Sequence, residues 1–225
     1  MVKRYFLMRP QRKLKSYPRS DGRAIVSRNL AIVAEDKLTQ AVLHKCIEAY
    51  LPNHNILRSD VTGGRGNVQK HLAAYAKLAS TMPVIIGVDL DHDICAPNLL
   101  TQWQAGYQPT ENLLIRVAVH EVESWVLADR KRIAKFIDAE SDSITKDPDS
   151  LADPKRAFLD LARASASEEL KRDLVPRNYN QYPRIGPAYN LQMCKFVMDK
   201  WRPHVALRRS DSLARAITAL ELLAG

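Results

Sequence analysis

Cysteine is scarce. Cys46, Cys95 and Cys194 are the only three in 225 residues, an odd number with no CxxC or Cys/His ligand spacing. This fits reduced thiols rather than a disulfide framework or a thiolate zinc site. No apolar run approaches the roughly 20 residues needed to span a bilayer. The N-terminal "MVKRYFLMRPQRKLK" is too basic and too poor in apolar residues for a secretory signal, so a cytoplasmic protein without a membrane partner is expected. Repeats and low-complexity tracts are absent. Several motifs fail on single positions. A calcium loop starting at Asp89 would need Gly where Ile94 stands and Glu where Leu100 stands. "HEVES" carries Ser124 where a zinc-protease helix needs its second His. "GGRGNVQK" lacks P-loop spacing and reads either as a plain turn or as a set of backbone N–H donors for a phosphate.

What is present is a 46% hydrophobic chain long enough for one ordinary core. Its net charge of +9 is unevenly placed, since residues 1–30 hold nine Lys/Arg against Asp21 alone and so carry +8. With Tyr5, Phe6 and Tyr17 interleaved, this segment can track a phosphate backbone and stack on bases, with Arg9, Arg12, Lys13 and Lys15 as candidate contacts. The competing reading is a solvated tail or a flanking strand pair with charged edges.

From residue 28 onward, β and α signals alternate. "RNLAIVAE" predicts a strand over 28–35, and "DKLTQAVLHKCIEAY" a helix with Leu38, Val42, Cys46 and Ala49 on one face. "NILRSDV" is a weaker strand, "TGGRGN" a turn, and "VQKHLAAYAKLA" a second helix. A strand over 83–88, a short helix after Pro97, a strand over 112–119 and one helix over 120–137 follow. Strands alternating with helices predict an α/β fold with a mainly parallel sheet flanked by helices. After about residue 140 the strand signal stops. "SDSITKDPDS" is a polar connector, and Asp153 with Pro154 form an N-cap and first-turn pair for "KRAFLDLARAS". Further helices are expected at "AYNLQMCKFVMDKW" and "SDSLARAITALELL", the latter with Leu213, Ile217, Leu220 and Ala224 on one stripe. The expected organisation is a basic segment 1–27, an α/β domain 28–140 and a helical C-terminal extension 141–225 packed on the core.

In open parallel sheets ligands bind beyond the carboxyl ends of the strands. "VIIGVDLDHD" puts Asp89, Asp91 and Asp93 there, and Glu35, Glu121 and Glu123 follow two other strands. Residues two apart in extended chain face the same way, so Asp89 and Asp91 can point at one site, where mutual repulsion favours a bound cation. Hard oxygen donors of this kind select Mg²⁺ or Mn²⁺. A surface turn rich in Asp is the alternative. Arg65, Lys70 and Arg116 could steady a phosphate, and each reads equally well as a solvated charge.

Glu35 after the first strand, "DLDHD" with "CAPNLL", "LIRVAVHEVESWVLAD", "LADPKRAF", "GPAYNLQMCKFV" and "RRSDSLARAI" together resemble the uncharacterised Toprim-type proteins found beside ATPases in bacterial defence loci, distant relatives of OLD-type nucleases. The likeness runs in order over about residues 29–222. It departs at Asp36, where Toprim chains usually have Gly, and in residues 1–27, which precede the usual first strand. The resemblance implies a Toprim-like (Rossmann-like) fold and Mg²⁺-dependent phosphodiester hydrolysis of DNA or RNA, serving anti-phage defence with an ATPase partner. It also implies metal on Asp89 and Asp91. Glu35 would be a second ligand or the general acid/base, and Glu121 would complete the site with Glu123 as runner-up. Asp93 is a further candidate ligand. Rival expectations are a non-catalytic Toprim-like module that binds nucleic acid or the ATPase, and a nucleotide-sugar enzyme using the same DxD. A homo-oligomer stays open.

Overall fold

The computed structural model describes residues 28–104, 106–165, 167–178 and 185–224. The basic segment 1–27, with Arg9, Arg12, Lys13 and Lys15, lies outside the described residues. The chain runs β1 (Arg28–Ala34), α1 (Lys37–Tyr50), β2 (His54–Val61), α2 (Arg65–Lys70), α3 (Leu72–Ala79), β3 (Val84–Asp89), α4 (Ala96–Gln104) and β4 (Leu113–Ala118). Helices then follow without further strands among the described residues: α5 (Val122–Leu127), α6 (Arg130–Phe136), α7 (Pro154–Arg163), α8 (Glu168–Leu174), α9 (Tyr189–Asp199), α10 (Pro203–Ala206) and α11 (Asp211–Leu223).

The strands form one four-stranded, all-parallel sheet in the order β2-β1-β3-β4. This is the expected α/β architecture of Rossmann-like type. All six residues of β3 are buried, as a central strand covered on both faces requires. Side-chain alternation divides the core in two. Leu30, Ile32, Ile85 and Leu114 face α1, α5 and the C-terminal helices. Ala31, Val33, Val84, Ile86 and Val88 face α2, α3 and α4 through Val68, Leu72, Leu99 and Trp103. The connection leaving β1 thus covers one face, while those leaving β2 and β3 cover the other. That makes the carboxyl ends of β1 and β3 a topological switch point, where open sheets leave a crevice.

Close approach of α1 to β3 depends on Gly87. A Cβ there would sit 2.8 Å from Thr39 Cγ2 and 2.9 Å from Leu43 Cδ1. Gly87→Ala is expected to cost about 1–3 kcal/mol by overpacking, read as a lowered denaturation midpoint with an unchanged m-value. A midpoint equal to wild type would show that the α1–β3 packing yields freely.

The C-terminal helices are fastened to the sheet domain by polar bonds inside the apolar core. Trp125 Nε1 donates to Ser212 Oγ at 2.6 Å, and Trp201 Nε1 donates to the Trp125 carbonyl at 3.2 Å. The single helix expected over 120–137 is instead two, broken around Asp129. This carboxylate is fully buried and receives Arg202 through its backbone N (3.2 Å), Nε (2.9 Å) and Nη2 (2.8 Å). A charge cannot remain buried without such partners. Smaller differences are physical as well: Ala49 and Ala224, expected on apolar stripes, are exposed near helix ends. The helices α8 and α10 have no counterpart in the sequence pattern, being short and, for α8, carrying little beyond Leu170 and Leu174 as apolar signal.

Candidate functional site

Glu35 leaves β1 directly into the N-cap of α1, where Asp36 accepts from the Thr39 N–H at 2.8 Å. The Glu35 carbonyl is held by the N–H groups of Gly63 (3.0 Å) and Gly64 (3.1 Å), both in positive-φ conformations that favour glycine. The turn expected as a possible phosphate cradle therefore spends these two donors on positioning Glu35. Its side chain reaches across to β3, where Oε2 accepts from the Asp89 N–H at 3.1 Å. Asp89 ends β3, is 5% exposed, and accepts through Oδ1 from the Val122 N–H at 2.8 Å.

Asp89 and Asp91 do not present a continued extended-chain face. The strand stops at Asp89, and Asp91 adopts φ of 52°. Asp91 is turned toward solvent, with its carboxylate 3.7 Å from Arg65 Nη1. Arg65 also binds Asp93 and donates to the Leu90 carbonyl at 2.9 Å. Arg65 thus ties down the loop that carries two of the acids.

A second cation serves the acids after β4. Glu121 accepts from the Lys155 backbone N at 2.8 Å and from Lys155 Nζ at 3.0 Å. Glu123, 1% exposed, lies 3.5 Å from the same Nζ and accepts from the Tyr189 hydroxyl at 2.8 Å. Its Oε2 is buried without a hydrogen-bond partner among the described residues. Lys155 and Tyr189 were missed as site residues. Both stand in segments singled out in the sequence, after Asp153-Pro154 and in "GPAYNLQMCKFV", but nothing local marks them as partners of Glu123.

Electrostatics follow from this crowding. Burial raises the Asp89 carboxyl well above its usual range, and the charges of Glu123 and Glu35 add to the effect. Glu35 is raised mainly by burial, with Asp91 and Asp36 contributing in the same direction. Burial also lifts Glu123 to about 7, although Lys155 opposes the shift. At Lys155 burial disfavours the charge, but Glu123, Glu121 and Asp89 outweigh it and the ammonium is held well above its ordinary range. Tyr189 is raised well above its ordinary value by burial and by Glu123.

Glu123 supplies a pH test. Its carboxyl titrates near 4.5 unfolded and about 7 folded, so between these values the folded state binds more protons. Its stabilising contribution is complete below about 4.5 and is lost as the pH rises through 7. Glu123→Gln should remove on the order of 3 kcal/mol from the stability difference between mildly acidic and mildly alkaline buffer, measured by denaturant unfolding at each pH. An unaltered difference would show that Glu123 does not titrate in this way.

Of the other candidates, Lys70 is exposed in the last turn of α2. Arg116 lies opposite Gly87 in the β3–β4 register, inside the sheet rather than at its carboxyl edge. Among the described residues, no three His, Cys, Asp or Glu side chains are grouped to hold a metal ion ready-made. The donor chemistry of Glu35 and Asp89 nonetheless fits Mg²⁺ or Mn²⁺, because Mg²⁺ is commonly held by one or two carboxylates with water and substrate phosphates completing the shell. Comparison of the chain with protein-family models, with curated proteins and with solved structures finds no match in any of the three.

Proposed function

We propose that this chain is a Toprim-type, Mg²⁺- or Mn²⁺-dependent nuclease hydrolysing phosphodiesters of DNA or RNA in the cytoplasm. In this reading it is the effector of a two-component anti-phage system whose ATPase partner delivers substrate. The observation that carries the reading is the meeting of Glu35 and Asp89 at the β1–β3 switch point, both carboxyls raised above their usual range by burial and neighbouring acids. Such a cluster is stabilised by a cation. Glu35 and Asp89 would hold it, with Asp91 beside them, and the bound ion would polarise the phosphoryl oxygen and lower the pKa of a water nucleophile. Were Glu35 outside the coordination shell instead, its raised carboxyl would suit it to move a proton. Arg65, at the mouth of the site, would attract the phosphate, and Lys155 keeps Glu121 and Glu123 in place.

The alternative, a non-catalytic Toprim-like module for nucleic acid or the ATPase, draws on a different observation: Arg65 already pairs with Asp91 and Asp93, and Lys155 with Glu121 and Glu123. Supercoiled plasmid and single-stranded RNA incubated with Mg²⁺, Mn²⁺ or EDTA separate the two. Nicking or cleavage only with divalent metal is expected. A chain inert on every nucleic acid, with metal and with the ATPase, establishes the binding-module reading, and hydrolysis of nucleotide sugars would move the site to glycosyl chemistry. Among the described residues no helix is long and apolar enough to cross a membrane.

A further inference from the structure

Two cavities meet at Val119, just beyond the end of β4. One, of about 400 Å³, runs along the outer edge of β4 with walls from Leu90, Ile94, Pro97, Leu100 and Val117. Arg116 lines it, and its Nε is buried without a hydrogen-bond partner among the described residues. Burial lowers the Arg116 pKa, so the guanidinium is held where solvent does not fully satisfy it. Ile94, on the rim, is 88% exposed. The second cavity, of about 460 Å³, is lined by Lys146, Arg208, Arg209 and Arg215. Three acids share that lining: Asp147, Asp149 and Asp211. Asp149 is spent on the Ser210 hydroxyl (2.8 Å) and the Ser212 N–H (2.9 Å). Val119 and Arg215 belong to both cavities, so the two form one groove.

That groove borders the carboxylate site. Leu90 stands between Asp89 and Asp91, and His120, also in the apolar wall, bonds through Nδ1 to the Asp91 carbonyl at 2.8 Å. A partner in it must therefore offer anionic groups to one half, and to the other half a flat, largely apolar body with a hydrogen-bond acceptor. An unstacked nucleotide in a single strand has this chemistry. Its phosphates suit Lys and Arg, while its base can lie between apolar side chains and accept from a donor at its edge. In a duplex the base is paired and stacked, so entry costs its unpairing and unstacking.

We propose that this groove binds single-stranded nucleic acid, with one unstacked base in the apolar cavity against Arg116 and the flanking phosphates on Lys146, Arg208, Arg209 and Arg215. The inference rests on the nuclease reading for what the neighbouring carboxylates do with the strand, and not for the binding itself. Such a site gives the enzyme a preference for single strands and presents the phosphodiester beside the held base to the sheet edge.

Fluorescence anisotropy in EDTA tests it with the full chain, using a short labelled oligodeoxynucleotide, its duplex form, and the same strand carrying abasic positions. The single strand is expected to bind at least tenfold tighter than the duplex. Abasic positions should weaken binding about tenfold, the range for removing one stacked base. Arg116→Gln should weaken the intact strand by about tenfold and leave the abasic strand unaffected. Arg209→Ala with Arg215→Ala should flatten the log–log salt dependence by about 0.7 for each phosphate that is no longer neutralised. Duplex bound as tightly as single strand, or abasic strand bound as tightly as intact strand by the wild-type protein, overturns the proposal whether or not Arg116→Gln folds. No divalent cation is present in these titrations. A protein that binds in the expected pattern and cuts nothing overturns the nuclease reading alone, and one that cuts but ignores the base overturns the groove alone.

Discussion

Asp89→Asn is expected to abolish divalent-metal-dependent cleavage while leaving the thermal midpoint unchanged or higher at neutral pH. The amide can still accept from the Val122 N–H through the oxygen that replaces Oδ1, so the geometry at the end of β3 is kept. What disappears is the charge that Glu35 and Glu123 repel and that burial already disfavours. Replacing even outer-shell partners of a metal site costs about 10–100-fold, so if Asp89 is a direct ligand, as we propose, its loss should lower turnover by at least about a hundredfold. Because the Asp89 carboxyl is raised in the folded state, its ionisation weakens the fold as pH rises, and the stability gained by the amide should be larger at alkaline than at acidic pH. Plasmid cleavage rates and melting curves across pH decide the matter. Near-wild-type turnover removes Asp89 from the chemistry, and a midpoint lowered at every pH makes it a structural carboxylate.

Lys155→Met should destabilise the protein by roughly 3–5 kcal/mol at mildly alkaline pH, the usual cost of removing one partner from a buried ion pair. The lysine touches Glu121 twice and Glu123 once. Its backbone N–H survives the substitution, but the ammonium does not. Among the described residues, Glu123 would then keep the Tyr189 hydroxyl on Oε1 and no partner on Oε2. Acidification should restore much of the stability, because a protonated Glu123 needs no counter-charge. The double variant with Glu123→Gln should be more stable than Lys155→Met alone, a coupling that a double-mutant cycle measures. A cost below about 1 kcal/mol, typical of a surface pair, would show that water screens this cluster.

Parallel strands buried on both faces appear in a sequence as near-continuous apolar runs, which is why β1 and β3 were legible, and β4 too despite Arg116 within it. The helix cap at Asp153 was legible because a short polar side chain precedes Pro154 there, and it accepts from the N–H three residues on; Asp36 and Ser210 cap their helices in the same way. Position after a strand was also enough to bring Glu35 and Asp89 together, since chain direction in a parallel sheet puts every such residue at one edge.

Other features depend on contacts between distant segments. Asp129 splits the helix expected over 120–137 because Arg202, 73 residues further along, binds it in the core. Asp91 leaves the face of Asp89 because its backbone turns at positive φ, which no alternation of residue types encodes. Composition and periodicity alone determined the α/β class, the strand positions and the presence of acids at the carboxyl edge, all consequences of local burial pattern and chain direction. The tertiary structure decided which acid is buried, which cation serves it and that Arg116 faces a cavity rather than the edge, because a charge's environment is set by whatever packs around it across the whole chain.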